Sequence, residues 1–344
     1  MLTADSDNLL DNYSVGSDIS ELIQSPIIRK LYNSLIRTKY TNSKISYSDE
    51  SRQYPHSDFL APSLKTKVEK RTDVLTATWT TRGKYSVKNT LHVYMSEGSD
   101  EPDIELLIKA ISFITSFSDR ARRIRLHLCL LPDKKMIRKG QKKITRLNVN
   151  SGSNHFTETD SEICVYRKEE AIKVIFHEVI HGLRLSDLSS DEEISERLCV
   201  KYDIDSRDIL IDESYTEIWA KILNCLFVTT LTDSVNKYQD FVSLLAIERN
   251  FTLYQGAKIE QFSRNSIVKK IDKDTNVTAY YLVCGEMFAS IEAFLTTCGH
   301  TPYLKKKDKC LSFIHDLPKI PKRRVSATDA FYLTMRMSAV ELKI

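Results

Sequence analysis

Apolar positions along the chain fall into helical and strand-like rhythms, and the elements can be read from them in order. ISELIQSPIIRKLYNSLI (19–36) repeats its apolar residues every three or four positions, which predicts a helix. TATWTTRGKYSVKNTLHVYM (76–95) alternates β-branched and aromatic residues with polar ones around Arg82-Gly83-Lys84, the pattern of a hairpin. Ile104, Leu107, Ile108, Ile111 and Ile114 share one side of a helix over 103–118, and RIRLHLCLL (123–131) alternates as a strand. TRLNVNSG (145–152) and EICVY (162–166) read as short strands separated by a polar loop. A helix over 168–185 carries Glu169 and Glu170 in its first turn, where the positive end of the helix dipole favours acids. Further helices are expected at 211–229, 233–262 and 278–298. Strands followed by helices, without strict βαβ alternation, indicate an α+β fold.

The amino-terminal part has a different pattern. Ser, Asp, Asn and Tyr dominate it, and the stretch from 43 to 71 is polar and broken by proline. Residues 1–71 therefore read as an irregular arm and linker, and 72–344 as the folded domain, its compact part starting near Asp73.

Composition narrows the class without changing this outline. With 42% hydrophobic and 28% charged residues in 344, the chain is globular rather than disordered or fibrous. Apolar runs such as IRLHLCLLP are too short to cross a membrane, so no membrane partner is expected. The start, MLTADSDNLLDNYS, has neither a basic n-region nor an apolar h-region, and a cytoplasmic location is the expectation. Seven scattered cysteines without a CxxC pair suit free thiols better than disulfides or a four-cysteine zinc site. The net charge of +4 is mild. The basic runs KKMIRKGQKK (134–143), KKKDK (305–309) and KIPKRR (319–324) read as solvated loops, and without a nucleic-acid module no nucleic-acid partner is expected.

Chemistry is concentrated in VIFHEVIHGL (174–183). His177 and His181 are four apart, so a helix stacks them on one face within reach of a single ion, while Glu178 follows the first. Neutral imidazoles are zinc ligands, and a glutamate in this place can act as general base toward an activated water: this is the HExxH arrangement. The other positions of the helix are mostly apolar, which implies burial, and buried histidines beside a buried glutamate need partners that a metal would supply. In DESYTEIWAKILN (212–224), Glu213 and Glu217 again lie one helical turn apart, and a cation relieves their repulsion.

Asp212-Glu213, followed two residues later by Thr216-Glu217, resembles the NExxSD element of the thermolysin-type gluzincins. The resemblance implies a zincin-like metallopeptidase domain over 72–344, with zinc as cofactor and a protein or peptide as substrate. It implies that Glu213 is the third zinc ligand and that Glu217 accepts the outer N–H of His177, fixing its tautomer. The likeness covers about residues 123–229. Asp212 and Glu217 replace the family's Asn and Asp, and the gap from His181 to Glu213 is longer, so the resemblance is to the zincin arrangement rather than to one peptidase family. NVNSG before YRKEEAIKVIFHEVIHG, with ESYTEIWA after it, is also similar to uncharacterised metallopeptidases encoded by large DNA viruses.

Asp187 competes as third ligand, since it lies ten residues after His177, the slot used in metzincin-like sites. Arg184 stands where that motif has its glycine. For the transition-state oxyanion, Tyr280, Tyr281 and His300 lie downstream where the gluzincin resemblance implies a stabilising group, and Tyr281 is the expected one. Zincin folds pair extended substrate with an edge strand, for which TRLNVNSG or EICVY is the candidate. His92, His127 and His155 read as structural or surface residues. The function expected is zinc-dependent peptide hydrolysis with Glu178 as base. The alternative is a catalytically inactive zincin-fold protein with a structural or interaction role, such as a virion component.

Overall fold

Alternation over 73–95 produces the expected hairpin, β3 (Asp73–Arg82) and β4 (Ser86–Met95), in register from Asp73↔Met95 to Arg82↔Ser86. The computed structural model describes residues 2–13, 16–55, 57–96, 101–186, 188, 192–203, 209–263, 271, 275–319, 324–326 and 328–344. β5 (Arg123–Leu131) and β7 (Asp160–Arg167) extend the hairpin in parallel, and β6 (Gly152–Phe156) closes antiparallel on β7. On the opposite edge β1 (Thr41–Asn42) and β2 (Ser46–Ser51) pair in succession with β3. The result is a mixed α/β structure around one small, open, mixed sheet ordered β1-β3-β4-β5-β7-β6, with β2 also on β3.

Helices α5 (Ile104–Thr115) and α7 (Ala171–Gly182) lie against this sheet, and α9 (Ile211–Leu231) packs on both. Leu91, Ile124, Leu126, Ile163 and Val165 meet Ile111, Ile175, Val179 and Ile222 in one continuous core. α10 (Lys237–Ser263) packs against α9 and closes the helical side. No helix among the described residues is long and apolar enough to cross a membrane.

The amino-terminal stretch differs most from expectation. It is not an irregular arm: α1 (Ala4–Tyr13), α2 (Gly16–Gln24), α3 (Pro26–Ile36) and α4 (Pro62–Val68) form in it. Leu22, Ile28, Leu31 and Leu35 enter the main core. Tyr54, Leu60, Leu64 and Val68 cover the second face of the sheet, over Val74, Tyr94, Cys129, Leu131, Cys164 and Tyr166. Its apolar residues are sparse but spaced to fit surface that the sheet cannot otherwise bury, which local pattern alone does not reveal. The helix expected over 19–36 is split because Pro26 lacks an N–H and disfavours helical backbone at Ser25, which instead caps α3 through Ile28 N–H at 3.2 Å.

Two further corrections bear on the site. TRLNVNSG is not a strand: Asn148 Oδ1 accepts from the Thr145 N–H at 2.8 Å, and its amide donates to Met136 O at 2.6 Å, which favours a single helical turn, α6 (Arg146–Val149). EICVY is an interior part of β7, and the edge strand is β6, the GSNHF that follows. The helix expected over 278–298 becomes a π-helical turn (Thr278–Val283), then α11 (Cys284–Ala289) and α12 (Ile291–Cys298). α8 (Glu192–Tyr202) precedes α9, and α13 (Lys307–His315) follows α12.

Candidate metal centre

Lys173, His177 and His181 repeat every fourth residue along α7, and Glu213, Glu217 and Lys221 do the same along α9. Each helix therefore turns one polar stripe toward the other inside an apolar interface. His177 Nε2 and His181 Nε2 each lie 3.1 Å from Glu213 Oε2. One ligand atom from each of these three residues falls within 4.8 Å of the others.

The outer nitrogens decide what this cluster can hold. His177 Nδ1 is 2.9 Å from Glu217 Oε2, and His181 Nδ1 is 3.1 Å from Asp212 Oδ2. A carboxylate only accepts, so a ring with carboxylates at both nitrogens is either protonated twice or, keeping its one proton at Nδ1, turns an Nε2 lone pair on Glu213. Three electron-pair donors facing one another at about hydrogen-bond distance repel unless positive charge lies among them. Burial by itself favours neutral rings, yet the carboxylates of Glu213 and Asp212 outweigh it and raise His181 well above its usual value; Glu213 and Glu217 raise His177 in the same sense. The residues thus fit a cation, and two nitrogens with one carboxylate oxygen form a donor set suited to a borderline divalent metal.

Glu217 is fully buried and would be costly alone. It accepts from Lys173 Nζ at 2.9 and 3.1 Å and lies 3.7 Å from Lys221 Nζ. Burial pushes its carboxyl up, but Lys173, His177 and Lys221 prevail and hold it below the ordinary carboxylate range. The first residue before α7, Glu170, has φ 59 and is held there by the C-terminal segment: its N–H donates to Glu341 Oε1 at 2.9 Å and its carboxylate accepts from Met337 N–H at 3.0 Å. Several contacts over-determine this strained residue, which fixes where α7 begins.

A cleft opens in front of the three residues, lined by β6 and Asn150 and by Asn276 and Tyr280. Glu178 lines it without being one of the converging residues, and burial raises its carboxyl above the ordinary value. Gly152 makes room for it: a Cβ there would meet Glu178 Oε1 at 2.7 Å and Cys164 O at 3.0 Å. Asn154 ties strand to helix, donating to Glu178 O at 2.7 Å and accepting from Ser161 Oγ at 2.9 Å. Because Tyr166 N–H donates to Ser151 O and Thr157 N–H to Asp160 O, odd-numbered residues of β6 face β7. The main-chain groups of Gly152, Asn154 and Phe156 consequently point to the open edge.

Tyr281 is a correction. Its hydroxyl donates to Met335 O at 2.6 Å in the core, and it does not line the cleft. The neighbouring Tyr280 does, donating to Glu213 Oε2 at 3.0 Å, while Asn276 Nδ2 donates to Glu213 Oε1 at 3.3 Å. The π-turn rotates Tyr280 rather than Tyr281 to the site, and Gly256 lets the Tyr281 carbonyl approach to 2.9 Å of where a Cβ would stand. Asp187 lies outside the described residues. His300 is half-buried and not part of the cleft, His155 is exposed, and His92 and His127 are buried in the sheet. Sequence reading missed Asp212, Asn154 and Lys173 as site residues; Lys173 carried a signal, being one helical turn before His177.

The chain matches no protein-family model, and neither a curated protein nor a solved structure shows significant similarity to it.

Proposed function

We propose that this chain is a zinc-dependent metallopeptidase of zincin type, with His177, His181 and Glu213 as the metal-holding residues. One observation carries the reading: two imidazoles with their outer nitrogens engaged turn their free nitrogens on one carboxylate, beside a cleft in which a separate buried glutamate stands ready.

When bound, zinc would supply Lewis-acid polarisation of a scissile carbonyl and acidify a water. The remaining steps belong to the chain. Glu178, raised by burial, is suited to take the proton of the attacking water and pass it to the leaving amine. Tyr280 is positioned to donate its hydroxyl to the developing oxyanion. The open edge of β6 offers N–H and C=O groups at Gly152, Asn154 and Phe156 for pairing with an extended peptide, and Asn154 fixes that edge relative to Glu178.

The test is Glu178→Gln beside wild type, with metal content and hydrolysis of a mixed peptide library measured on the same samples. The variant should keep its metal and lose about 10²- to 10⁴-fold in kcat, the usual contribution of a general base. Equal turnover in both would remove Glu178 from the role. Metal in both with turnover in neither would favour a structural role for the site.

A further inference from the structure

The basic run at 134–143 adjoins the cleft, whose lining includes Lys135 from the run and Val149 and Asn150 just after it. Residues 134–147 contain seven lysines and arginines and no acid. The segment is held in place rather than loose. Ile137 N–H donates to Leu333 O at 2.8 Å, Met335 N–H to Lys135 O at 2.7 Å, and the Asn148 amide to Met136 O at 2.6 Å. Gln141 braces the turn, accepting from Arg138 N–H at 2.9 Å and donating to Asn148 Oδ1 at 2.8 Å.

Some of the positive charge is neutralised internally. Lys135 pairs with Glu170 in the core and Lys134 with Asp5, while Arg146 is held in place by Nη1 donating to the Asp58 carbonyl. Arg138, Lys139 and Lys142 are exposed and have no carboxylate partner among the described residues. Exposed apolar side chains lie in the same segment and at the cleft: Met136 is 39% exposed, Leu147 37% and Phe59, which lines the cleft, 46%. A rigid rim that pairs unspent positive charge with exposed apolar side chains is complementary to a chain that alternates acidic and apolar residues.

We propose that this rim is an accessory binding surface for an acidic, apolar-containing stretch of the polypeptide substrate, adjoining the cleft. The proposal rests on the metallopeptidase reading for the identity of the ligand as substrate, and its test reads binding as well as turnover. Substrates carrying such a stretch beyond the scissile bond would be favoured through KM, with kcat set by the metal centre.

The experiment uses full-length Glu178→Gln protein and two labelled peptides of equal length and equal apolar content, one with glutamates and one with glutamines between the apolar residues. Fluorescence anisotropy should show tighter binding of the glutamate peptide, weakening as salt shortens the screening length. The triple variant Arg138→Glu/Lys139→Glu/Lys142→Glu should cost that peptide about tenfold in affinity, as three exposed ion pairs are lost together. It should leave the glutamine peptide nearly unchanged. Met136→Ser, at an exposed position, should weaken both peptides.

Equal binding of the two peptides, or indifference to the triple variant, would overturn the proposal. So would stronger competition by an oligonucleotide of matched charge, which would make the rim a nucleic-acid surface. The two readings fail separately. Hydrolysis of a short neutral peptide by otherwise wild-type protein, unaffected by the triple variant, with no glutamate preference in binding, sinks only the rim. Salt-dependent, rim-dependent binding without any hydrolysis by the wild type sinks only the catalytic assignment.

Discussion

Asp212 and Glu213, neighbours in the chain, grip opposite nitrogens of His181: Asp212 Oδ2 lies 3.1 Å from Nδ1 and Glu213 Oε2 3.1 Å from Nε2. Both acids are in the first turn of α9, so one turn of helix holds the ring from both sides, and a cation at Nε2 would leave its proton on Nδ1 toward Asp212. Asp212 also accepts from Leu188 N–H at 3.0 Å, which anchors the carboxylate itself.

Removing that anchor should loosen the proposed metal without removing a donor atom. Asp212→Ala is expected to lower metal affinity by about 10- to 100-fold, the usual cost of losing a carboxylate behind a ligand histidine. Competition against a chromogenic chelator measures it. Unchanged affinity would mean that the ring is oriented by packing alone.

Metal removal should also destabilise the fold, because the cluster joins α7 to α9 and leaves buried donors facing one another when empty. A site held at about a thousandfold above its Kd adds about 4 kcal/mol to stability. Chelation should therefore lower the midpoint of urea unfolding in wild type and have no effect on His181→Ala or Glu213→Ala. A midpoint that ignores chelator in all three would count against a resident ion.

Gly152→Ala tests how Glu178 is held. The added methyl would stand 2.7 Å from Glu178 Oε1 and 3.0 Å from the Cys164 carbonyl, so the flexible carboxylate must give way. Displacement of a catalytic group by about 1 Å can cost about 100-fold in rate. The expectation is a fall in kcat of roughly 10- to 100-fold with metal content unchanged, read by steady-state kinetics beside elemental analysis. Full activity would show that Glu178 does not work from the position it occupies here.

Stability toward acid should depend on a pair of histidines remote from the site. His92 and His127 face each other across β4 and β5, rings 4.7 Å apart and stacked, with Tyr94 OH 2.9 Å from His127 Nδ1. Burial, then His92 and the arginines, lowers His127 to about 3, and burial with Arg52 lowers His92 to about 4. Unfolded histidine titrates near 6.5, so between that value and the folded values the unfolded chain binds more protons and stability falls as pH falls. His127 contributes a slope of up to about 1.4 kcal/mol per pH unit across that window. Urea unfolding at pH 7, 6 and 5 should show a shallower decline in His127→Gln than in wild type; parallel declines would contradict the assignment.

Much of the core and part of the site could be read from the pattern. The hairpin over 73–95, the strand over 123–131 and the helices carrying His177 and Glu213 form where periodicity placed them, because each buries one regular face against a neighbour. Glu217, which the resemblance implies behind His177, lies with Oε2 2.9 Å from its Nδ1. Residues 145–149 turned from strand to helix because an asparagine side chain satisfied the backbone locally. The choice between Tyr280 and Tyr281 depended on a π-turn, whose extra residue per turn leaves no mark in apolar spacing.

The sequence by itself determined the two polar stripes, since helical spacing stacks residues four apart whatever surrounds them. It also determined the acid that follows the first histidine. Tertiary structure decided the rest: that the stripes meet, that Asp212 closes on His181, that β6 is the edge beside Glu178, and that the amino-terminal residues roof the second face of the sheet. Those relations join residues distant in the chain, and contacts between distant residues are chosen by the packing of whole faces rather than by any local preference.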